Sequence, residues 1–149
     1  MELLYSSLVI AFTIATIFLN VKNDMVPDKF LLISFVVFSG YFVPVEGYLV
    51  FYRILGGLLF FAISLIISVA KGNAIGGGIV KLSGVLGFIL GIKLMAFVFL
   101  ATVLLVLITI WLVNIYKYEW MVVLSNIPIF MATISLVLFL LQLQGVFAI

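Results

Sequence analysis

Long apolar blocks separated by short polar breaks run along the whole chain. The blocks are continuous and lack the alternation of apolar and polar positions that a lipid-facing strand shows, so they favour helices. A membrane-crossing helix needs about 20 mostly apolar residues. We therefore predict an all-α bundle with about six transmembrane helices, at Leu3–Leu19, Phe30–Val43, Phe51–Val69, Ile79–Leu90, Leu94–Val113 and Met121–Leu141.

The composition excludes several classes of protein. Hydrophobic residues make up 68% and charged residues 8% of the 149 residues, against about 45–50% and about 25% in a soluble domain. A soluble enzyme, a nucleic-acid-binding protein and a disordered chain are therefore excluded, and residues 1–149 suit one domain embedded in a lipid bilayer. Because the chain has no Cys and no His, we expect no disulfide, no metal site and no cofactor.

Basic residues are distributed unequally between the two sides of the predicted bundle. Loops one, three and five carry five cations and the opposite side carries two. Short loops rich in Lys and Arg stay in the cytoplasm. We therefore predict that these three loops face the cytoplasm and that both termini lie outside. The five cations are Lys22, Lys29, Lys71, Lys81 and Lys117, and the other two are Arg53 and Lys93.

Two of the loops differ from ordinary spacers. Loop one covers residues 20–29, and Pro27 in it predicts the start of the second helix. Loop three covers residues 71–82 and contains the triplet Gly76-Gly77-Gly78, which allows backbone conformations closed to other residues. The alternatives are that loop one is a solvated hairpin and that loop three is a flexible connector. A stripe of glycines that favours tight helix packing follows loop three, and each loop leads into a short block. Both features favour one site at the cytoplasmic membrane boundary. The stripe is Gly84, Gly87 and Gly91.

Together the two loops resemble the motifs of the type IV prepilin and archaeal preflagellin peptidases, which are membrane aspartyl proteases of the GxGD type. Val26-Pro27-Asp28-Lys29 is similar to the end of the family's first motif, and Val21-Lys22 to its middle. The second motif, Gly-x-Gly-Asp-x-Lys-Leu, is matched at the following positions, with Gly77 between the two glycines: Gly76, Gly78, Lys81 and Leu82.

The resemblance covers essentially the whole chain and implies a six-span GxGD fold. It further implies removal of leader peptides from type IV pilin-like precursors at the cytoplasmic face of a prokaryotic plasma membrane. The family's larger members also carry a methyltransferase region with paired Cys-x-x-Cys motifs. We expect no such activity here, because the chain lacks cysteine.

Both catalytic positions of the family are substituted. Asn20 and Ile79 stand where the family has its two aspartates. Aspartyl proteolysis needs two carboxylates that share a proton, one ionised and one protonated. Asp24 lies four residues from Asn20, but Ile79 leaves it without a partner carboxylate. Glu119 is flanked by Tyr118 and Trp120 and is interpreted as an interfacial residue. We therefore expect no peptide hydrolysis by this mechanism.

Three interpretations remain open. The first is an inactive protein of this fold that binds type IV pilin-like leader peptides or an active paralogue. The second is an active peptidase in altered form, whose native gene has Asp at positions 20 and 79. The third is a non-proteolytic membrane scaffold or transporter subunit.

Overall fold

The computed structural model describes residues 2–23, 26–70, 76–116 and 126–144. Within these ranges the chain is helical and contains no strand, which confirms the predicted all-α class. A 3-10 turn at Gly47–Leu49 joins the second helix to the third. The helices are α1 (Glu2–Asn23), α2 (Asp28–Glu46), α3 (Val50–Ala70), α4 (Gly77–Tyr116) and α5 (Ile127–Leu143).

The helices are suited to a membrane by length and by composition. Among the described residues, four helices are long and apolar enough to cross a bilayer, and α5 is a shorter apolar helix. The second predicted block was short, but α2 has 19 residues and therefore extends about 28 Å at 1.5 Å per residue. These features indicate a membrane-embedded protein. The four candidate spans are Leu3–Lys22, Asp28–Val45, Val50–Ala70 and Gly77–Asn114.

Several predicted boundaries need correction. The first block was predicted to end at Leu19, but α1 continues to Asn23 and includes the predicted site residue Asn20. The sixth block was predicted to begin at Met121, which lies outside the described residues, and α5 begins at Ile127. The helix continues past the block because one polar residue, Asn20, on a buried face does not end a helix.

The fourth and fifth predicted blocks both belong to α4, which Gly91 interrupts. Gly91 has φ 77° and ψ 175°, a backbone region open essentially only to glycine. Residues 77–90 and 92–116 are therefore two helical segments joined by a single non-helical residue. The first of these segments is about 21 Å long at 1.5 Å per residue, which is short for a bilayer span.

The chain reverses direction at this break. Ile79 and Val103 line the same cavity, although one straight helix would hold them about 36 Å apart. Phe60 of α3 contacts both segments, because its carbonyl oxygen accepts a hydrogen bond from Ser83 at 3.2 Å and its ring centroid lies 5.7 Å from that of Phe99. The two segments of α4 therefore pack side by side against α3.

Glycines set the distance between α3 and α4. A Cβ atom on Gly87 would lie 2.7 Å from the carbonyl oxygen of Gly56, and a Cβ atom on Gly56 would lie 2.8 Å from that of Gly87. A Cβ atom on Gly57 would lie 3.0 Å from the carbonyl oxygen of Gly84. The packing role predicted for Gly84 and Gly87 is thus confirmed. Gly91 does not share it, because a Cβ atom there would meet open space.

Aromatic side chains fix α1 against its neighbours. The Tyr5 ring lies 5.4 Å from Phe139 near the end of α5, and the Phe12 ring stacks on Phe30 near the start of α2, also at 5.4 Å between centroids. Because of these two contacts, α1 ends at the side of the bundle where α2 and α5 begin. Asn20 therefore lies on that side.

Candidate functional site

The two sequence motifs meet at one end of the bundle. The Nζ atom of Lys81 lies 2.5 Å from Oδ2 of Asp28, and the carbonyl oxygen of Val26 lies 3.7 Å from the position of a Cβ atom on Gly78. Lys81 and Asp28 are 53 residues apart in the sequence. Loops one and three therefore meet at these residues, while the single site at the cytoplasmic membrane boundary stays a prediction. We call this end, where α1 ends and α2, α4 and α5 begin, the motif end.

Pro27 determines how loop one enters α2. Its backbone is extended, with φ −65° and ψ 136°, and α2 begins at the next residue. The Pro27 carbonyl oxygen accepts hydrogen bonds from the amides of Phe30 and Leu31, at 3.1 and 3.3 Å. This confirms the predicted helix start. Asp28 lies in the first turn of α2, where the helix dipole favours a carboxylate.

The glycine triplet begins α4 without using the conformations that glycine alone can adopt. The amide of Ile79 donates to the carbonyl oxygen of Gly76 at 3.0 Å, and Gly77 is the first helical residue. Positive φ occurs, among the described glycines, at Gly47 and Gly91 and not in the triplet. The triplet therefore does not adopt the backbone conformations that three successive glycines allow. The absence of side chains at Gly76 and Gly77 instead leaves a surface pocket of about 270 Å³ against α3.

Asn20 lies inside the last turn of α1 and is buried, with 3% of its surface exposed. Its neighbour Lys22 is exposed. An amide at Asn20 can bind water or a backbone group, but it cannot accept a proton from water at neutral pH. The position is therefore shielded, as a catalytic position would be, while its side chain lacks the required chemistry.

Ile79 is partly buried and lines a partly open cavity of about 330 Å³. α3, both segments of α4 and α5 surround this cavity, and its polar side chains are Ser64 and Thr102. Thr102 donates its hydroxyl to the Val98 carbonyl oxygen at 2.7 Å. The cavity is therefore an apolar space, suited to an isoleucine side chain.

The structure joins some of the predicted site residues and leaves others separate. Gly78 and Lys81 contact loop one, whereas Leu82 is fully buried in the hydrophobic core. Asn20 is not among the described residues that line the Ile79 cavity. The family resemblance implies that Asn20 and Ile79 face each other across a cavity, and this implication stays a prediction. The alternative acids, Asp24 and Glu119, lie outside the described residues.

A polar cluster at the opposite end of the bundle was missed from the sequence. The Ile89 carbonyl oxygen accepts hydrogen bonds from the Tyr5 hydroxyl at 2.9 Å and from Nη1 of Arg53 at 2.5 Å. The guanidinium carbon of Arg53 also lies 3.9 Å from the centroid of the Phe42 ring, a favourable cation–π arrangement. In the sequence, this cluster was indicated by a single arginine inside the third predicted block and by the gap between blocks at Gly91.

In the part of the chain that the structure describes, no group of three or more Asp, Glu, His or Cys residues could hold a metal ion. Comparison of the chain with protein-family models, with curated proteins and with solved structures finds no match.

Proposed function

We propose that this chain is a membrane protein with the fold of the type IV prepilin peptidases that does not hydrolyse peptides. In this proposal it lies in the cytoplasmic membrane of a prokaryote and binds type IV pilin-like leader peptides or an active paralogue. The observation that carries the proposal is the ion pair between Asp28 and Lys81. It joins the ends of the two motifs on which the resemblance rests.

The reversal at Gly91 supports a six-span arrangement. With the two segments of α4 counted separately, six helical segments alternate in direction along the chain. In this arrangement loops one, three and five lie on one side of the membrane, and the motif residues Pro27, Gly78 and Lys81 lie together on it. The short segment 77–90 then crosses a locally thinned bilayer, or its glycine-rich start also lies at membrane depth.

The surroundings of Ile79 favour a natural loss of activity over an engineered one. Apart from Ser64 and Thr102, the described residues that line its cavity are apolar. A carboxylate there would lose hydration without gaining a charged partner. At the motif end, Asp28 is a described carboxylate, but it is exposed and paired with Lys81. Among the residues that the structure describes, no proton-sharing pair of the kind that the family's chemistry requires is therefore formed.

A cleavage assay tests the proposed inactivity. A type IV pilin-like precursor would be incubated with membranes that contain the given protein, Asn20→Asp, Ile79→Asp or the double variant. We expect no cleavage by the given protein or by either single variant, because each has fewer than two carboxylates at these positions. Cleavage by the given protein would overturn the proposal. Cleavage by the double variant alone would identify positions 20 and 79 as the lost catalytic pair.

A crosslinking experiment tests the fold independently of activity. The chain has no native cysteine, so Asn20→Cys combined with Ile79→Cys gives a unique thiol pair for a short bifunctional reagent. The matched control pairs Phe18→Cys with Ile79→Cys, because Phe18 lies on the same turn of α1 but is 63% exposed. We expect efficient crosslinking of the first pair only. Equal or reversed efficiency would contradict the proposed fold.

Binding of a leader peptide tests the remaining part of the proposal. A photoreactive leader peptide of a pilin-like precursor would be added to membranes, and its crosslinking sites would be mapped by mass spectrometry. We expect adducts at the motif end, near Gly76 and Lys81. Adducts near Lys93, at the opposite end, would contradict the proposal.

A further inference from the structure

A groove runs between α2 and α3, with α4 as its floor. Its volume is about 480 Å³. Gly57 and Gly84 line it where α3 and α4 approach each other closely. At the end remote from Asp28 and Lys81, the Phe35 and Phe88 rings lie 4.9 Å apart between centroids.

The groove opens sideways from helices that are suited to cross the membrane. Its walls include Leu32 and Leu58, which are 66% and 61% exposed. Both residues lie within candidate spans, so the surroundings that they face are lipid and not water. An occupant of the groove is therefore drawn from the bilayer.

The lining of the groove suits a hydrocarbon chain. Apart from Asp28 and Lys81, the residues that line it are apolar or glycine. From Lys81 to Phe88 the groove follows about 10 Å of helix axis, so an extended acyl chain can lie along it.

The mouth of the groove carries one charge of each sign. Asp28 and Lys81 line it, and their side chains are 65% and 49% exposed. Asp28 begins one candidate span and Lys81 lies four residues into another, so both are toward the span ends, where lipid headgroups are expected. An exposed ion pair contributes little to stability. Each of the two side chains can therefore leave the other and bind a charged group of a ligand instead.

We propose that this groove binds one zwitterionic aminophospholipid. Its acyl chain lies in the groove, its phosphate accepts hydrogen bonds from Lys81, and its primary ammonium donates to Asp28. A purely anionic headgroup would be repelled by Asp28. A quaternary ammonium has no N–H to donate to the carboxylate. The lipid site shares Lys81 with the motif end, but its tests use lipids and no leader peptide.

Native mass spectrometry of the full chain in detergent tests the proposal. The protein would be titrated with phosphatidylethanolamine, phosphatidylcholine or phosphatidylglycerol of identical acyl chains, and a thermal-shift series would use the same lipids. We expect one retained phosphatidylethanolamine per chain and the largest stabilisation with that lipid. Equal retention of the three lipids, or preference for phosphatidylglycerol, would overturn the proposal.

Variants separate the headgroup contacts from the groove. We expect Asp28→Asn and Lys81→Met each to weaken phosphatidylethanolamine binding about tenfold, because each removes a charge-assisted hydrogen bond. The matched control is Lys29→Met, which removes an exposed cation beside Asp28 but outside the groove lining. Unchanged binding in the first two variants, or equal loss in all three, would overturn the headgroup assignment.

Filling the groove tests the acyl-chain contact. Leu32→Trp places a large side chain in the wall, and Ile33→Trp places the same side chain on the next residue, which is 60% exposed and does not line the groove. We expect loss of the lipid adduct only in Leu32→Trp. Thermal unfolding without added lipid verifies that both variants fold. A dimer that Leu32→Trp abolishes would instead identify a second copy of the chain as the occupant.

Discussion

At the scale of single residues, the surroundings of Ile79 determine what a carboxylate there would do. Its cavity is apolar except for Ser64 and Thr102. Burying a polar group without a matched partner costs about 1–3 kcal/mol by protein mutational data. We therefore expect Ile79→Asp to lower the free energy of unfolding by about that amount or more. SDS titration in mixed micelles measures it.

Ile79→Val is the matched control for this prediction, because it removes one methylene group and introduces no polar atom. Its expected cost is about 0.5–1.5 kcal/mol. If Ile79→Asp proved as stable as Ile79→Val, position 79 would have access to water or to a polar partner. The apolar description of the cavity would then be wrong.

At the Ile89 carbonyl oxygen, too, single side chains stabilise a local feature of the backbone. It lies two residues before Gly91, whose non-helical angles interrupt the backbone ladder of α4. Tyr5 and Arg53 both donate to it. We expect Tyr5→Phe to cost about 0.5–1.5 kcal/mol and Arg53→Met about 1.5–3 kcal/mol, since hydrogen bonds from charged donors are stronger.

Thermal unfolding in detergent measures the loss of stability in Tyr5→Phe and Arg53→Met, and the loss should be larger in Arg53→Met. Tyr52→Phe is the matched control for the loss of a hydroxyl, because Tyr52 is exposed at the same end of α3. Its expected effect is close to zero. Equal stability of Arg53→Met and Tyr52→Phe would show that Arg53 does not hold the reversal.

At the scale of helices, close approach between α3 and α4 explains the glycines in both. A Cβ atom on Gly87 would lie 2.7 Å from the carbonyl oxygen of Gly56, and a backbone atom cannot move aside as a flexible side chain can. We therefore expect Gly87→Ala to separate the helices and to lower the free energy of unfolding by about 1–3 kcal/mol.

Gly40→Ala provides the control for this prediction. Gly40 is exposed within α2, and a Cβ atom there would meet nothing within 4 Å. Alanine is the better helix former by about 1 kcal/mol, so this variant should be as stable as the parent or more stable. A similar loss in Gly40→Ala and Gly87→Ala would mean that general effects of alanine, and not helix contact, set the result.

The sequence predicted the helices better than their connections. Apolar blocks gave α1, α2 and α3 because a bilayer-length helix needs a continuous apolar stretch, which composition alone reveals. The break near Gly91 was also visible as a gap between blocks. The six predicted spans also implied that the chain reverses there. That a single residue makes the reversal was not predicted, because it depends on backbone angles that a glycine permits but does not require.

The candidate site was predictable only where local covalent geometry or the order of the loops determines the structure. Pro27 fixes a helix start by its own covalent geometry, so its role was readable. The meeting of Asp28 with Lys81 followed from the placement of two loops at one end. Which face of a helix Asn20 or Ile79 presents depends on packing between helices. The glycine triplet did not reveal its own structure, because glycine permits unusual backbone angles but can also begin an ordinary helix.

At the scale of the whole molecule, the charges divide between the two ends of the bundle. Lys22 and Lys81 lie toward the motif end, while Arg53 contacts the backbone beside Gly91 at the other. The other two basic residues counted in the predicted excess on this side, Lys71 and Lys117, lie outside the described residues. Because short loops rich in Lys and Arg stay in the cytoplasm, the motif end is predicted to be the cytoplasmic end.

Labelling of single cysteines tests both the sidedness and the six-span arrangement. The reversal at Gly91 predicts that Gly76→Cys and Asn114→Cys lie on one side of the membrane and that Lys93→Cys lies on the other. A membrane-impermeant maleimide should label the first two variants in inverted vesicles and the third in right-side-out vesicles. Lys22→Cys should follow Gly76→Cys, because both residues lie at the motif end. If Gly76→Cys and Asn114→Cys were labelled from opposite sides, α4 would cross the membrane once. The six-span proposal would then be wrong.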